Sequence, residues 1–300
     1  MDYTVYAFMF PACIAIATIA MTSGISGAAL LSPTIIVGFP LLGVPKLAPA
    51  AAIGSSLFTE FFGFGSGVIG YSRRRLFDPR TVGALVVVAV PVAAAAGFLS
   101  GVIDPRILKG LYGVLMLPLA AVLWRQAAEE LRPGSPEPKP RYAPIREQSA
   151  ELTRVVDADG NVYEWRTCNR RVGRLLTAGG AAMAGLISTG IGEVEMPQLV
   201  KRCRVPVPVA AGTSIMIVAS TVLGASSAHF VRLFQEGGVD AIPWNLIVYT
   251  VPGAIIGGQI GSRIQGKVPP RLMERGMAIL FLFIGIVFLL NVTVAQGLTR

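Results

Sequence analysis

The chain of 300 residues is written twice. TSGISGAALLSP, from Thr22 to Pro33, enters a hydrophobic tract, and ISTGIGEVEMP, from Ile187 to Pro197, does so again. Later segments answer each other in the same order: IGSS (Ile53 to Ser56) and AGTS (Ala211 to Ser214), then DPRILKGLYGVLML from Asp104 and PPRLMERGMAILFL from Pro269. Duplication in an apolar chain is the mark of a transporter made of two repeats, with its site where the repeats meet.

The solvent of the fold follows from hydropathy. Charged residues make up 14% of the chain and hydrophobic residues 53%, whereas a soluble domain carries about a quarter charged. Eight apolar tracts run from Tyr3 to Leu42, Leu47 to Tyr71, Val82 to Ile103, Ile107 to Trp124, Val172 to Ile191, Val205 to Phe230, Trp244 to Ile264 and Leu272 to Val294. Several reach the roughly 20 residues a spanning helix needs, and the first is too long for one helix. The chain is expected to be an all-α polytopic membrane protein. MDYTVY has no basic stretch, so no cleaved signal peptide is expected.

Basic residues orient the spans. Arg73, Arg74, Arg75 and Arg80 fill the loop after the second tract, whereas the matching loop of the second half holds only Arg232. In that half the next loop is basic instead, with Arg263, Lys267, Arg271 and Arg275. Inverted repeats, each a broken helical hairpin plus three spanning helices, place 21 of the 26 basic residues in the cytoplasm. Eight simple spans with parallel repeats would place only 16 there. The positive-inside rule favours inversion. It also accounts for the net charge of +9 without nucleic acid as a partner; the expected partners are the lipid bilayer and a small-molecule anion.

The expected organisation is a first transmembrane repeat (1–124), a cytoplasmic linker and insertion (125–171) and a second repeat (172–300). Within the insertion, RPGSPEPKPRYAP is a proline-rich spacer, and ELTRVVDADGNVYEWRT reads as a β-hairpin around an Asp-Gly turn. Asp157, Asp159 and Asn161 resemble a calcium loop, but its glycine would belong at Val162 and its glutamate at Cys168. No metal or cofactor is expected. Cys13, Cys168 and Cys203 lack metal-ligand spacing, and their odd number argues for packing roles rather than a disulfide framework.

Candidate site residues fall in three groups. The hairpin breaks at Ser23, Gly24, Ser26 and Gly27 and at Ser188, Thr189 and Gly190 free backbone groups at membrane depth, which is tolerated where they line a cavity. Ser55 and Ser56, with Gly212, Thr213 and Ser214, are placed where long helices begin, so that hydroxyls and unpaired N–H groups would converge on an anion; N-capping is the plainer alternative. Glu60, Glu193 and Glu195 are proton-coupling candidates, because an ionisable group inside a membrane is costly. For Glu193 and Glu195 the alternative is a shallow hairpin with wet carboxylates.

Small residues at Gly253, Gly257 and Gly261, echoed by Ala93, Gly97 and Gly101, form stripes suited to close helix packing, within the chain or between two copies in a homodimer. His229 is the one histidine, expected as a structural hydrogen-bond donor.

The glycine-rich breaks followed by proline, the later G-x-S and T-S elements and the paired halves resemble the TauE/SafE family of membrane permeases, over nearly everything outside 125–171. The resemblance implies export of a small anion across the bacterial inner membrane, such as sulfite, a sulfonate such as sulfoacetate, or a small carboxylate, coupled to protons. It implies no enzymatic activity and no catalytic residues. The chain departs from the family pattern at Gly192-Glu193-Val194-Glu195-Met196-Pro197 and at Ala28, Ala29 and Leu30, where glycines are usual. Two acids repel an anion unless protonated or paired, for example with Lys201 or Arg202, so a cationic substrate stays open. A different class is suggested by Gly24-Ile25-Ser26-Gly27, which matches the G-x-S-G of rhomboid intramembrane serine proteases, with His229 as the base; the duplication has no place in that fold.

Overall fold

A computed structural model describes residues 4–23, 26–129, 152–166, 168–264 and 270–297. The fold is mostly helical. Helix α1 (Met9–Ser23) is followed, across the break, by α2 (Ala28–Pro33), a π-helical turn (Thr34–Gly38) and α3 (Phe39–Leu41). Three long helices come next: α4 (Pro49–Arg74), α5 (Pro79–Ser100) and α6 (Pro105–Glu129). After strands β1 (Leu152–Val156) and β2 (Val162–Arg166), the same order returns. It comprises α7 (Arg170–Ile187), α8 (Ile191–Pro197), a second π-helical turn (Gln198–Arg202), α9 (Val207–Gly237), α10 (Trp244–Ile264) and α11 (Pro270–Gly297). Among the described residues, four helices are long and apolar enough to cross a membrane on length and composition: α4, α5, α6 and the α9 segment.

Local chemistry sets these boundaries. Pro79 opens α5 behind Asp78, whose carboxylate caps the helix by accepting from the Arg80 N–H at 3.0 Å and the Thr81 hydroxyl at 2.6 Å. Asn169 caps α7 through the Arg171 N–H. At the far end of α4, Arg75 takes the left-handed conformation, and Arg73 and Arg74 sit against the negative pole of the helix. In both hairpins a proline removes a backbone donor from the returning arm, and each π turn begins at the next residue, after Pro33 and after Pro197.

Helices α4 and α9 form the centre, each with 67% of its most apolar stretch buried against 28% for α5. Exposed Val87, Leu99, Ile107, Val114 and Phe283 give α5, α6 and α11 an apolar outer face suited to lipid. Glycines let the backbones approach. A Cβ at Gly54 would stand 2.7 Å from that of His229, and one at Gly212 would stand 1.9 Å from the Leu76 carbonyl, so the start of each central helix lies against the end of the other. Gly253, Gly257 and Gly261 face Phe10, Ile14 and Thr18 of α1, and Gly97 faces Ala225 of α9, so both small-residue stripes are filled within the chain. Thr59 and Thr250 share a hydrogen bond at 2.7 Å and Gln259 donates to the Ser66 carbonyl, so α4 and α10 run in the same direction. Their arginine-bearing ends therefore share one end of the molecule.

The two strands pair antiparallel in the register Leu152 to Arg166. Asp157 shapes the turn, accepting from the N–H groups of Asp159 and Asn161 and from the Asn161 amide, so its oxygens serve the turn and not an ion. Those donors, the Asn161 amide first, hold its carboxyl below the usual aspartate value. Trp165 buries itself against Leu199, Val205 and Val209, docking the hairpin beside the second π turn. The proline-rich spacer, Lys267 and Arg300 lie outside the described residues.

One expectation is corrected here. Cys168 and Cys203 are joined by a disulfide, with Cα atoms 5.2 Å apart, while Cys13 is free and buried. The pair lies 35 positions apart in sequence. Both arms of the second hairpin return to one end, and that brings them together.

Candidate functional site

The site is built where the two hairpin tips meet. Glu60, on α4 and 5% exposed, reaches under the first tip. One carboxylate oxygen accepts from the Gly27 N–H at 2.8 Å, the other from the Ser26 hydroxyl at 3.0 Å. At the second tip Ser188 adopts the left-handed conformation, φ 58°, and Gly190 follows at φ 111°, a value that favours glycine. Glu193 folds back over this turn: its oxygens accept from the Gly190 N–H at 2.9 Å and the Thr189 hydroxyl at 3.3 Å.

Ser26 joins the two halves. Its hydroxyl meets Glu60, and its N–H points to Glu193 at 3.4 Å. The Ser188 carbonyl lies 3.2 Å from the Ser26 hydroxyl, and the hydroxyls of Ser32 and Ser188 are 2.6 Å apart. Tyr112 of α6 donates to the Ala29 carbonyl at 2.9 Å, fixing the helix behind the first tip. Ser26, Ser32, Ser188 and Thr189 are buried, and Glu193 is half-buried. Among the described residues none of these carboxylates has an ion-pair partner. The tips thus give their free donors to the chain's own carboxylates.

Beside Glu60 lies a cavity of about 350 Å³, its open mouth included, lined by Ser56, Thr59 and Glu60 among apolar groups such as Cys13, Ile16 and Phe64. Most of the wall cannot hydrogen-bond, so Glu60 and the two hydroxyl residues decide which polar atoms can reside there.

Several candidates are placed differently from the sequence expectation. Ser55 and Ser56 lie inside α4, which starts at Pro49, and their hydroxyls back-bond to the Ala51 and Ala52 carbonyls. Gly212, Thr213 and Ser214 lie inside α9, which starts at Val207; the Thr213 hydroxyl accepts from the Asp78 N–H at 3.0 Å. Neither group is at a helix N-terminus, because proline at the helix starts, Pro49 in α4 and Pro206 and Pro208 in α9, begins both helices about one and a half to two turns earlier. Of them only Ser56 lines the cavity. Gly24 and the Ser23 side chain lie outside the described residues.

Glu195 belongs to a separate cluster. It is fully buried, receives the Thr177 hydroxyl and lies 3.4 Å from the Gln198 amide nitrogen. A wet hairpin tip does not describe it. Among the described residues Arg202 forms no ion pair with either glutamate; one of its nitrogens donates to the Asn169 carbonyl. His229 is buried, with its ring nitrogens at 2.9 Å from the Gly185 carbonyl and 3.5 Å from the Ser100 hydroxyl. It shares no hydrogen bond with Ser26, so no protease dyad is assembled. Sequence reasoning missed Ser32, Tyr112 and Gln198; only Ser32, beside the proline of the first break, carried a signal that could have found it.

Residues 9–288 match the model of the sulfite exporter TauE/SafE family. The chain belongs to the TauE/SafE family. This TauE/SafE protein is 21% identical, over 239 residues and 80% of each chain, to the "probable membrane transporter protein YunE" of Bacillus subtilis (strain 168). No solved structure matches it. Membership of a transporter family, together with the apolar helices, makes it a multi-pass protein of the bacterial inner membrane.

Proposed function

We propose that this TauE/SafE protein is a proton-coupled secondary exporter of a small anion such as sulfite, a sulfonate such as sulfoacetate, or a small carboxylate. The observation that carries the reading is the meeting of Glu60 and Glu193, one from each half, on Ser26. The reading includes two inverted repeats. It is supported by the reciprocal contact of α4 with α9, by the shared direction of α4 and α10, and by the matching π turns. On that scheme the hairpin end is cytoplasmic, with Arg73, Arg74, Arg75, Arg80 and Arg263.

Coupling follows from competition. An ionised Glu60 holds the Gly27 N–H and the Ser26 hydroxyl, and Glu193 holds the Gly190 N–H. A carboxylate is a stronger acceptor than a carboxylic acid, so a proton arriving on Glu60 or Glu193 loosens these bonds and frees donors at Ser26, Gly27, Thr189 and Gly190 for a substrate oxyanion. Loss of the proton returns the carboxylate and expels the anion. Proton and anion then move as a unit in one direction, so net export runs down the anion's own outward gradient and carries a proton with it, without a second charged partner in the site.

Reconstituted vesicles with labelled sulfoacetate test this reading. Glu60→Gln and Glu193→Gln keep the shape of the site but cannot exchange a proton, so each should retain substrate exchange and lose uphill movement driven by a pH gradient. Full gradient-driven transport in the double variant would sink the coupling scheme. The same unpaired carboxylates also favour a second reading, a permease for a cation; there both variants abolish binding itself.

A further inference from the structure

At the end of the molecule that bears the β-hairpin, a second cleft of about 580 Å³, its open mouth included, lies between the strands, the starts of α5 and α7, and the second π turn. Its lining is unlike that of the first cavity. Arg80 and Arg170 line it, as do Trp165 and the Cys168–Cys203 disulfide. Two long helices point their N-terminal ends into it, one beginning at Pro79 and the other at Arg170. The one carboxylate in the lining, Asp78, is engaged in capping α5.

The wall of the cleft carries one unfilled hydrogen-bonding group, and a second lies beside it. Gln198 is 5% exposed and lines the cleft, and its carbonyl oxygen has no partner; neither has one terminal nitrogen of the Arg202 guanidinium. Both side chains flank Gly173: a Cβ there would stand 3.8 Å from an Arg202 nitrogen and 3.8 Å from the Gln198 amide nitrogen. Buried polar atoms are rarely left unpaired, and each orphan costs on the order of 1–3 kcal/mol. An open donor and an open acceptor, on the two side chains that flank Gly173, match a ligand that accepts from Arg202 and gives a hydrogen to Gln198. An oxyanion carrying one proton, or one water of hydration, does both.

We propose that this cleft is a docking site for the transported oxyanion at the hairpin-bearing face, upstream of the central cavity. The proposal rests on the anion-transport reading above, and it removes that reading's main difficulty. The central tips carry acids and no cation among the described residues, whereas the cleft collects Arg80, Arg170 and two helix N-termini, with Arg202 beside Gly173 of its wall, the ingredients of oxyanion capture. Gln198 then links the two regions, because its amide nitrogen lies 3.4 Å from Glu195, on the same short helix as Glu193. The hairpin, seated by Trp165, forms one wall.

Trp165 reports occupancy directly. In a Trp124→Phe, Trp244→Phe background it is the remaining tryptophan. The purified protein in detergent is titrated with sulfoacetate, which unlike sulfite does not attack a disulfide, at constant ionic strength made up with chloride. A saturable change in Trp165 emission is expected, with affinity about tenfold weaker in Arg170→Gln and in Gln198→Met, the loss of one charge-assisted bond or one buried acceptor, and substantially restored in Arg170→Lys. A response that chloride reproduces, that both variants leave unchanged, or that appears only when anionic lipid is added would overturn the proposal; the last would make the cleft a headgroup seat. Flux of labelled sulfoacetate in vesicles separates the two readings. Titration without flux removes the transport reading and keeps the cleft, and flux without titration removes the cleft alone.

Discussion

Replacing Gly212 by alanine asks whether this position packs or binds. A Cβ there would lie 1.9 Å from the Leu76 carbonyl oxygen, 2.8 Å from a Tyr71 ring carbon and 3.0 Å from the Leu76 carbonyl carbon. The nearest atom is backbone, so no rotamer change relieves the clash. Ordinary contact needs about 1.5 Å of displacement. Moving Leu76 that far disturbs two hydrogen bonds, Leu76 N–H to the Tyr71 carbonyl at 3.1 Å and Asp78 N–H to the Thr213 hydroxyl at 3.0 Å. Overpacking costs about 1–3 kcal/mol and a lost hydrogen bond about 1 kcal/mol, so Gly212→Ala is expected to cost about 2–4 kcal/mol. At roughly 2 °C per kcal/mol for a chain of this size, the melting temperature in detergent falls by about 4–8 °C. Gly65→Ala, on the partner helix with nothing within 4 Å of its added Cβ, is the control and should leave the melting temperature unchanged or slightly higher. A Gly212→Ala protein that melts like wild type but binds sulfoacetate weakly would refute the packing argument and return Gly212 to the substrate.

Other outcomes follow from the same contacts. Thr213→Ala removes the acceptor for the Asp78 N–H, which should cost about 1–3 kcal/mol of stability and leave substrate affinity unaltered in a calorimetric titration. If the hairpin-bearing face is cytoplasmic, the cell's thiol pool keeps Cys168 and Cys203 reduced until purification, so a membrane-permeant maleimide added to intact cells should alkylate both; recovery of the disulfide from such cells would reverse the orientation. Asp157, whose carboxyl is held below the ordinary aspartate value of 3.8, contributes stability to the hairpin that is present above that value and is lost as pH falls through its lower folded value. Trp165 emission should therefore hold through pH 5 and shift as the solution is acidified below pH 4, and Asp157→Ala should show the low-pH emission at neutral pH.

The sequence by itself determined the solvent, the elements and the places where helices break. Apolar tracts separated by arginine loops can be satisfied only by helices in a bilayer, since unpaired backbone cannot face lipid. Gly190, at a φ of 111° that favours glycine, and the prolines after both breaks mark where the helices are interrupted, since each proline removes a backbone donor. The hairpin strands were equally legible, since Asp157 writes its own turn within five residues.

What sequence could not decide was partnership, which depends on which helices touch. Glu60 and Glu193 are 133 positions apart and meet only because both hairpin tips converge on Ser26. Cys168 and Cys203 pair because both arms of the second hairpin end at one face. Ser55, Ser56, Thr213 and Ser214 look like anion ligands when helix starts are judged from glycine and hydroxyl residues alone. Proline at the true helix starts moves them into the helix, where back-bonding and close packing claim Ser55, Gly212 and Thr213 and only Ser56 reaches the cavity. A local pattern fixes the backbone near it, but a hydroxyl or carboxylate takes the partner that tertiary packing brings within three ångströms.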